Sequence, residues 1–260
     1  MEPQRTKTYA IHVLPMRHPP GQVATGPPRT TCTGCHLRDV CLPCGMAGKD
    51  VQRLDSLMFV RRKIKAGETL YRQGDAFRFI YASRGGMFKS SMALPDGREQ
   101  ISSFPMAGEQ VGLDGVASGK HSTTATALED TEVCAIPYAS LVDKMASSPS
   151  TQNLVSRLMS REIVQEHGLM MLLGSMNAQE KLAAFLLNIA ARLNARGYSA
   201  SEFNLRMSRA EIGSHLGMKL ETVSRTFSSF QKQGLIEVAL RHICIMNMAG
   251  LRRTFESHLQ

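Results

Sequence analysis

Residues 208–233 read SRAEIGSHLGMKLETVSRTFSSFQKQ, and they set the character of the whole C-terminal third. Ser208 is a helix-capping residue, and Glu211 follows three positions on, which is the pattern of a capping box. Ala210, Ile212 and Leu216 supply the apolar contacts of a short first helix. Gly217 then stands where a tight turn needs a residue without a Cβ. A second helix starts at Lys219 or Leu220, and Val223, Phe227 and Phe230 form its inward face at i, i+4, i+7. Glu221, Ser224 and Arg225 lie at i, i+3, i+4 and share the opposite face near the helix start. In a helix-turn-helix that end enters the major groove. There arginine suits guanine O6 and N7, a carboxylate accepts from cytosine N4, and serine serves several bases. Arg209, Lys219 and Lys232 are placed for phosphate contacts. A plain helical hairpin with a surface Glu221–Arg225 pair is the rival reading. Cap, turn and triad together favour DNA. The runs LIEVAL and HICIMN after Gly234 predict a wing.

The charge distribution agrees with this placement. Among 260 residues, 31 Lys and Arg stand against 22 Asp and Glu, a formal net charge of +9. Residues 177–260 carry net +5, residues 51–176 only +1, and residues 1–50 net +3. A basic segment beneath a near-neutral body suits a nucleic-acid partner, although a solvated basic surface explains the charge alone equally well. No apolar run reaches the roughly 18 residues of a membrane span, and the N-terminus shows no secretory apolar core. The expected location is the cytoplasm, where cysteines serve metals, clusters or redox chemistry rather than disulfides.

Upstream, the chain divides by composition. Residues 1–31 are rich in Pro, Gly and Thr and predict a flexible tail. Residues 32–50 form a cysteine-rich segment. Residues 51–148 alternate short strand-like runs such as FRFIYAS, MFKSSMAL and EVCAIP with glycine turns, which predicts an antiparallel β-roll. Pro95-Asp96-Gly97 is a hairpin-turn signal. Residues 149–176 predict a long helix. Met159, Ile163, Glu166, Met170 and Leu173 fall at spacings of 4, 3, 4, 3, a heptad-like seam that suits pairing in a two-fold dimer. Leu154, Val155 and Leu158 are left to pack on the chain's own core. Glu166 would meet its own copy in such a seam and weaken association. Residues 177–260 form the winged helix-turn-helix. The fold class is therefore α+β: roll, pairing helix, reader.

Cys32, Cys35, Cys41 and Cys44 lie within 13 residues, while Cys134 and Cys244 are isolated. Thiolates bind iron–sulfur clusters and structural zinc alike. A fourth ligand beside Cys32, Cys35 and Cys41 can come from Cys44 or from Cys134. The all-local set is a zinc pattern, with a gap of five residues between its pairs that is short for zinc. His36 is expected to be exposed or to tune the site without ligating. Cys244 is expected to be a small buried hydrophobe. The segment offers little apolar core of its own.

The E-x-x-S-R reading helix, the long helix before it and the glycine-punctuated strands resemble the cyclic-AMP receptor protein superfamily. Cys32-x2-Cys35-x5-Cys41 with the late Cys134 resembles its oxygen-sensing FNR branch. The resemblance spans roughly residues 32–250. It implies a [4Fe–4S] cluster on Cys32, Cys35, Cys41 and Cys134, with Cys44 an extra thiol beyond the family pattern. It also implies dimerisation when the cluster is intact and half-sites close to TTGAT, with Arg225 on the guanine. RNA polymerase would be touched by the Asp96-Gly97-Arg98-Glu99 turn, and by Arg84 with Tyr198 and Ser199. Gly108-Glu109 matches a nucleotide-binding pair of the superfamily. The arginine that should follow is missing, so cyclic-nucleotide control is disfavoured. A zinc-stabilised or thiol-redox regulator remains the alternative on this scaffold. No cofactor loop or paired catalytic groups suggest an enzyme.

Overall fold

A computed structural model describes residues 31–56, 59–93, 96–146 and 149–256. The expected N-terminal tail falls almost wholly outside them, and so does Pro95 of the expected turn. Among the described residues, eight strands build the N-terminal body: β1 (Val60–Ile64), β2 (Thr69–Tyr71), β3 (Phe79–Ser83), β4 (Phe88–Ala93), β5 (Glu99–Ser103), β6 (Gln110–Val111), β7 (Thr124–Ala127) and β8 (Thr131–Pro137). They form two antiparallel four-stranded sheets, ordered β1-β8-β3-β6 and β2-β7-β4-β5. Ile64, Tyr81, Val111, Val133 and Ala135 of the first sheet meet Leu70, Phe88, Ala125 and Ala127 of the second in one core. This is the antiparallel roll that the short strand-like runs predict.

The period of two along β8 decides what its other face does. Val133 and Ala135 point into the roll, so Cys134 and Ile136 point out of it. Cys134 pairs in register with Ala82 of β3, and Ile136 with Ile80. On that outer face these residues join a second core with Leu42, Leu54, Leu141, Leu154 and Leu158. Leu54 belongs to helix α1 (Gly48–Asp55) and Leu141 to α2 (Tyr138–Ala146). Leu154 and Leu158 come from the long helix α3 (Pro149–Ser175). The cysteine segment is thus better supplied with apolar side chains than its composition suggests, since Leu37 and Leu42 are 6% and 2% exposed.

Beyond α3 come α4 (Ala178–Asn194), β9 (Glu202–Asn204), α5 (Arg209–Leu216), α6 (Leu220–Lys232), β10 (Ile236–Ala239), β11 (His242–Ile245) and α7 (Met248–Glu256). Strands β10, β11 and β9 form a small antiparallel sheet, the wing. The reader shares its core with the roll: Ile101, Phe104 and Met106 pack in the same cluster as Phe185, Leu186, Leu216, Phe227 and Phe230. Among the described residues no helix is long and apolar enough to cross a membrane.

Candidate thiol site and DNA-reading surface

The cysteine segment is a succession of turns. Cys35 N donates to Cys32 O at 3.2 Å, Arg38 N to Cys35 O at 3.1 Å, and Cys44 N to Cys41 O at 3.0 Å. Its start is tied to the end of α1, because Asp55 accepts from the backbone of Cys32 and Thr33 and from the Thr33 hydroxyl. Its far side rests on the roll at Gly108, where φ is +87° and a Cβ would come within 2.7 Å of Val40 Cγ2. Glycine serves there both for the left-handed backbone and for the close approach.

These anchors gather Cys32, Cys35, Cys41 and Cys134 into one electrostatic neighbourhood. Burial is the main cause that pushes the Cys32 thiol up to about 12, with Cys41, Asp55, Cys134 and Cys35 adding to it. Burial likewise raises Cys41 to about 11, against the backbone N–H of Leu42, which favours the thiolate. Cys134 is raised by burial while Arg84 pulls the other way. Burial with no cation at hand thus favours neutral thiols at Cys32, Cys41 and Cys134, and a bound metal centre would displace their protons. His36 is exposed, and Cys244 is half-buried on β11, paired with Glu237 and Glu202 in register rather than sealed in the core. Among the described residues no three His, Cys, Asp or Glu side chains converge tightly enough for a single metal ion. The donor set is nonetheless all sulfur and partly shielded from solvent. Arg84 and Arg61 act on Cys134 and Arg84 on Cys41, a cationic surround that suits a thiolate-bound group of net negative charge.

Several contacts around this site carry no local sequence signal. Gln110 Nε2 lies 3.9 Å from Cys41 Sγ. Its neighbour Glu109 is taken up by the reader: Arg192 Nε donates to it at 3.0 Å and Arg196 Nη2 at 2.7 Å, while Arg192 Nη2 also reaches Phe104 O at 2.7 Å. The superfamily's nucleotide-type carboxylate is therefore committed to a contact within the protein. Asp114 is committed too, accepting from the Ser122 and Thr123 backbone at 2.8 Å each and facing His121 Nδ1 at 3.1 Å. Arg84, expected as a polymerase contact, is only 16% exposed along its side chain and turns inward to Glu132 and Cys134.

The reading surface is built by the cap and turn already named. Ser208 and Glu211 close both halves of the capping box, and Gly217 ends α5 at φ +60°. Val223, Phe227 and Phe230 are fully buried, so Glu221, Ser224 and Arg225 emerge together on the exposed side of α6. Lys219 and Lys232 are exposed at its two ends. Arg209 differs from expectation. Its guanidinium stacks 3.4 Å from the Phe227 ring centre, and its Nη1 is buried without a hydrogen bond, so it faces inward rather than toward a phosphate. Tyr198 is exposed, Ser199 Oγ accepts from Glu202 N at 3.0 Å, and Asp96 pairs with Arg98 at 2.7 Å beside Gly97, just before Glu99 opens β5.

Along α3, Ile163, Val164, Met170 and Met171 are each more than half exposed. Met159, Glu166 and Leu173 are half-buried, and Leu173 Cδ2 comes within 3.4 Å of a Cβ placed on Gly217. The apolar face open to solvent is therefore centred one position further round than the 159–173 stripe, with Val164 and Met171 added.

Residues 61–148 match the cyclic nucleotide-binding domain family, and residues 180–254 match the Crp-like helix-turn-helix domain family. The transcriptional regulatory protein btr of Bordetella pertussis is 42% identical over 89% of this chain and 96% of its own length. The fumarate and nitrate reduction regulatory protein of Salmonella typhimurium is 38% identical over 85% of this chain and 88% of its own. The solved structure of FixK2 from Bradyrhizobium japonicum superposes with a TM-score of 0.71 at 30% identity, covering 76% of this chain and 98% of that one. Roll, long helix and capped reading helix occur here in that same order, and the chain belongs to the CRP/FNR family of DNA-binding transcription regulators.

Proposed function

We propose that this chain is an oxygen-responsive transcription regulator whose sensor is an oxygen-labile [4Fe–4S] cluster on Cys32, Cys35, Cys41 and Cys134. The observation that supports the reading is the shared electrostatic neighbourhood of those four thiols, which come from two distant parts of the chain. The name of the Salmonella relative, a fumarate and nitrate reduction regulator, points the same way. Such a cluster would take these four cysteines as thiolate ligands and would supply a chemistry sensitive to oxygen.

The chain's own residues do the rest. Cys32, Cys35 and Cys41 hold the turn segment against Cys134 on β8, and the same segment rests on the core that includes Leu154 and Leu158 of α3. That packing sets the exposed face at Ile163, Val164, Met170 and Met171, which pairs with its copy against the repulsion of Glu166. A two-fold dimer presents two α6 helices to successive major grooves of a TTGAT-type palindrome. Arg225 reads guanine, Glu221 and Ser224 read neighbouring bases, and Lys219 and Lys232 hold phosphates. The Asp96–Glu99 turn and Tyr198-Ser199 face RNA polymerase.

Protein purified without oxygen should carry iron and sulfide, absorb in the visible, and bleach in air. Sedimentation should report a dimer before bleaching and a smaller species after it. Gel shift on a TTGAT palindrome should weaken in step. Stoichiometric zinc without iron would overturn the sensor assignment while leaving the DNA reader intact.

A further inference from the structure

Arg84 sits one residue past the end of β3. The period of two from Ile80 and Ala82 brings it to the outer face of the sheet, the face that carries Cys134. Its backbone N donates to Glu132 O at 2.8 Å, and its Nε donates to Glu132 Oε2 at 2.9 Å. Two residues along β8 from Glu132, its Nη1 reaches Cys134 Sγ at 3.9 Å. One guanidinium thus spans an acidic neighbour and a thiol, and its side chain is 16% exposed. A group meant for a protein partner at the surface would not be turned inward and held at both ends.

We propose that Arg84 is a positioning residue of the thiol site: it orients Cys134 and, through an N–H to sulfur bond, offsets the net negative charge of the thiolates together with the group they bind. This rests on the sensor reading above. Hydrogen bonds to sulfur and the local net charge set how readily a thiolate-bound iron–sulfur group is oxidised or lost. Arg84 contributes both. Glu132 fixes the guanidinium plane so that Nη1, rather than Nε, is left for the sulfur.

The test compares full-length wild type, Arg84→Gln and Arg84→Lys, each reconstituted without oxygen. Iron per chain, the rate of iron release to a chelator, the reduction potential and the rate of bleaching in air are read together. Arg84→Gln should release iron roughly 10-fold faster, the range seen when a residue that supports a metal ligand is lost. Its potential should fall, because a positive donor has gone. Arg84→Lys should recover part of both effects, which a merely structural role would not require. Unchanged iron release and potential in both variants overturn the inference, the more so if Arg84→Gln lowers promoter activation at equal DNA occupancy. That result would make Arg84 a surface contact for polymerase. If Arg84→Gln does not fold, Arg84→Lys decides alone: wild-type values overturn the inference, and values shifted in the same sense support it. The wild-type iron content separates the two levels, since no iron in the wild type sinks the sensor reading itself and Arg84's role with it.

Discussion

At the residue scale, Glu109 is the carboxylate that ties the roll to the reader. It receives Arg192 of α4 and, from the turn just past that helix, Arg196, whose side chain is only 5% exposed. Glu109→Gln would leave Arg196 buried beside Arg192 with no counter-charge, and breaking such a pair costs about 3 kcal/mol. Thermal unfolding should show the loss, and an unchanged midpoint would mean that water replaces the carboxylate. Leu240 makes the opposite case. It stands at the tip of the wing with φ +57° and 96% exposure, so strain there is not offset by burial. Asparagine tolerates that backbone, and Leu240→Asn should stabilise the chain by roughly 0.5–1 kcal/mol. On the reading helix, Arg225→Ala should cost about 1–3 kcal/mol of binding and relax the preference for guanine at one position. The residues that sequence exposed well are those whose partners are local: the Ser208–Glu211 cap, Gly217 and the Glu221–Ser224–Arg225 face. Glu109, Arg192 and Arg196 carry no such signal, because their partners lie more than eighty residues away. The orientation of Arg209 is not legible either, since its ring partner Phe227 stands in the next helix and no local pattern links the two.

At the element scale, α3 is legible as a long helix from its unbroken apolar periodicity, yet its rotation is not. Which residues of an amphipathic helix face solvent depends on the surface it packs against, and here that surface is the outer face of β3 and β8 with the cysteine segment upon it. Helices α1 and α2 escape the sequence reading because each is short and lacks a cap signal. Glu162, which the stripe passed over, is held above the usual glutamate value chiefly by burial, then by Glu166, Glu109 and Asp114. Burial also raises Glu166. A carboxyl raised on folding binds its proton more tightly in the folded state. Its charge is then a cost above the folded value, and the cost fades as the pH falls toward the unfolded one. Mild acidification from neutrality should therefore stabilise the α3 face, and Glu162→Gln should give the same gain at pH 7 while flattening the pH response. Chemical denaturation across pH 5 to 8 measures it, and a Glu162→Gln profile parallel to wild type would show that Glu162 is already solvated.

At the scale of the whole molecule, roll and reader are one packed object rather than beads on a helix. Phe104 of the roll meets Phe185 of α4 at 6.1 Å and His215 of α5 at 5.1 Å between ring centres. Ser214 Oγ donates to Glu99 O at 3.1 Å and accepts from Ile101 N at 3.0 Å, so α5 is hydrogen-bonded along β5. Lys89 of β4 pairs with Glu211 at 3.0 Å, the same carboxylate that caps α5 through Ser208 N. A contact this continuous couples the two parts in unfolding, so near neutrality a single calorimetric transition is expected. The coupling also has a built-in pH limit. His215 is held below the ordinary histidine value of about 6.5, first by burial and then, among the opposing groups, by Arg192, with Ile101 O favouring its charge. A base depressed on folding is neutral in the folded state and takes a proton in the unfolded one. The stability it contributes is therefore present above the unfolded value and lost as the pH falls below it. As the pH falls below the ordinary histidine value, a freed His215 takes the proton that its ring pocket of Phe104 and Phe185 disfavours, which loosens the contact between roll and reader before either core fails. The single transition should then separate into two, and His215→Gln should keep it single at the same pH. Glu162 cannot mimic this effect, because its protonation moves stability the other way. Two transitions already present at pH 7.5 would mean that the shared core contributes little, and that α5 is positioned by the Glu109–Arg192–Arg196 network instead.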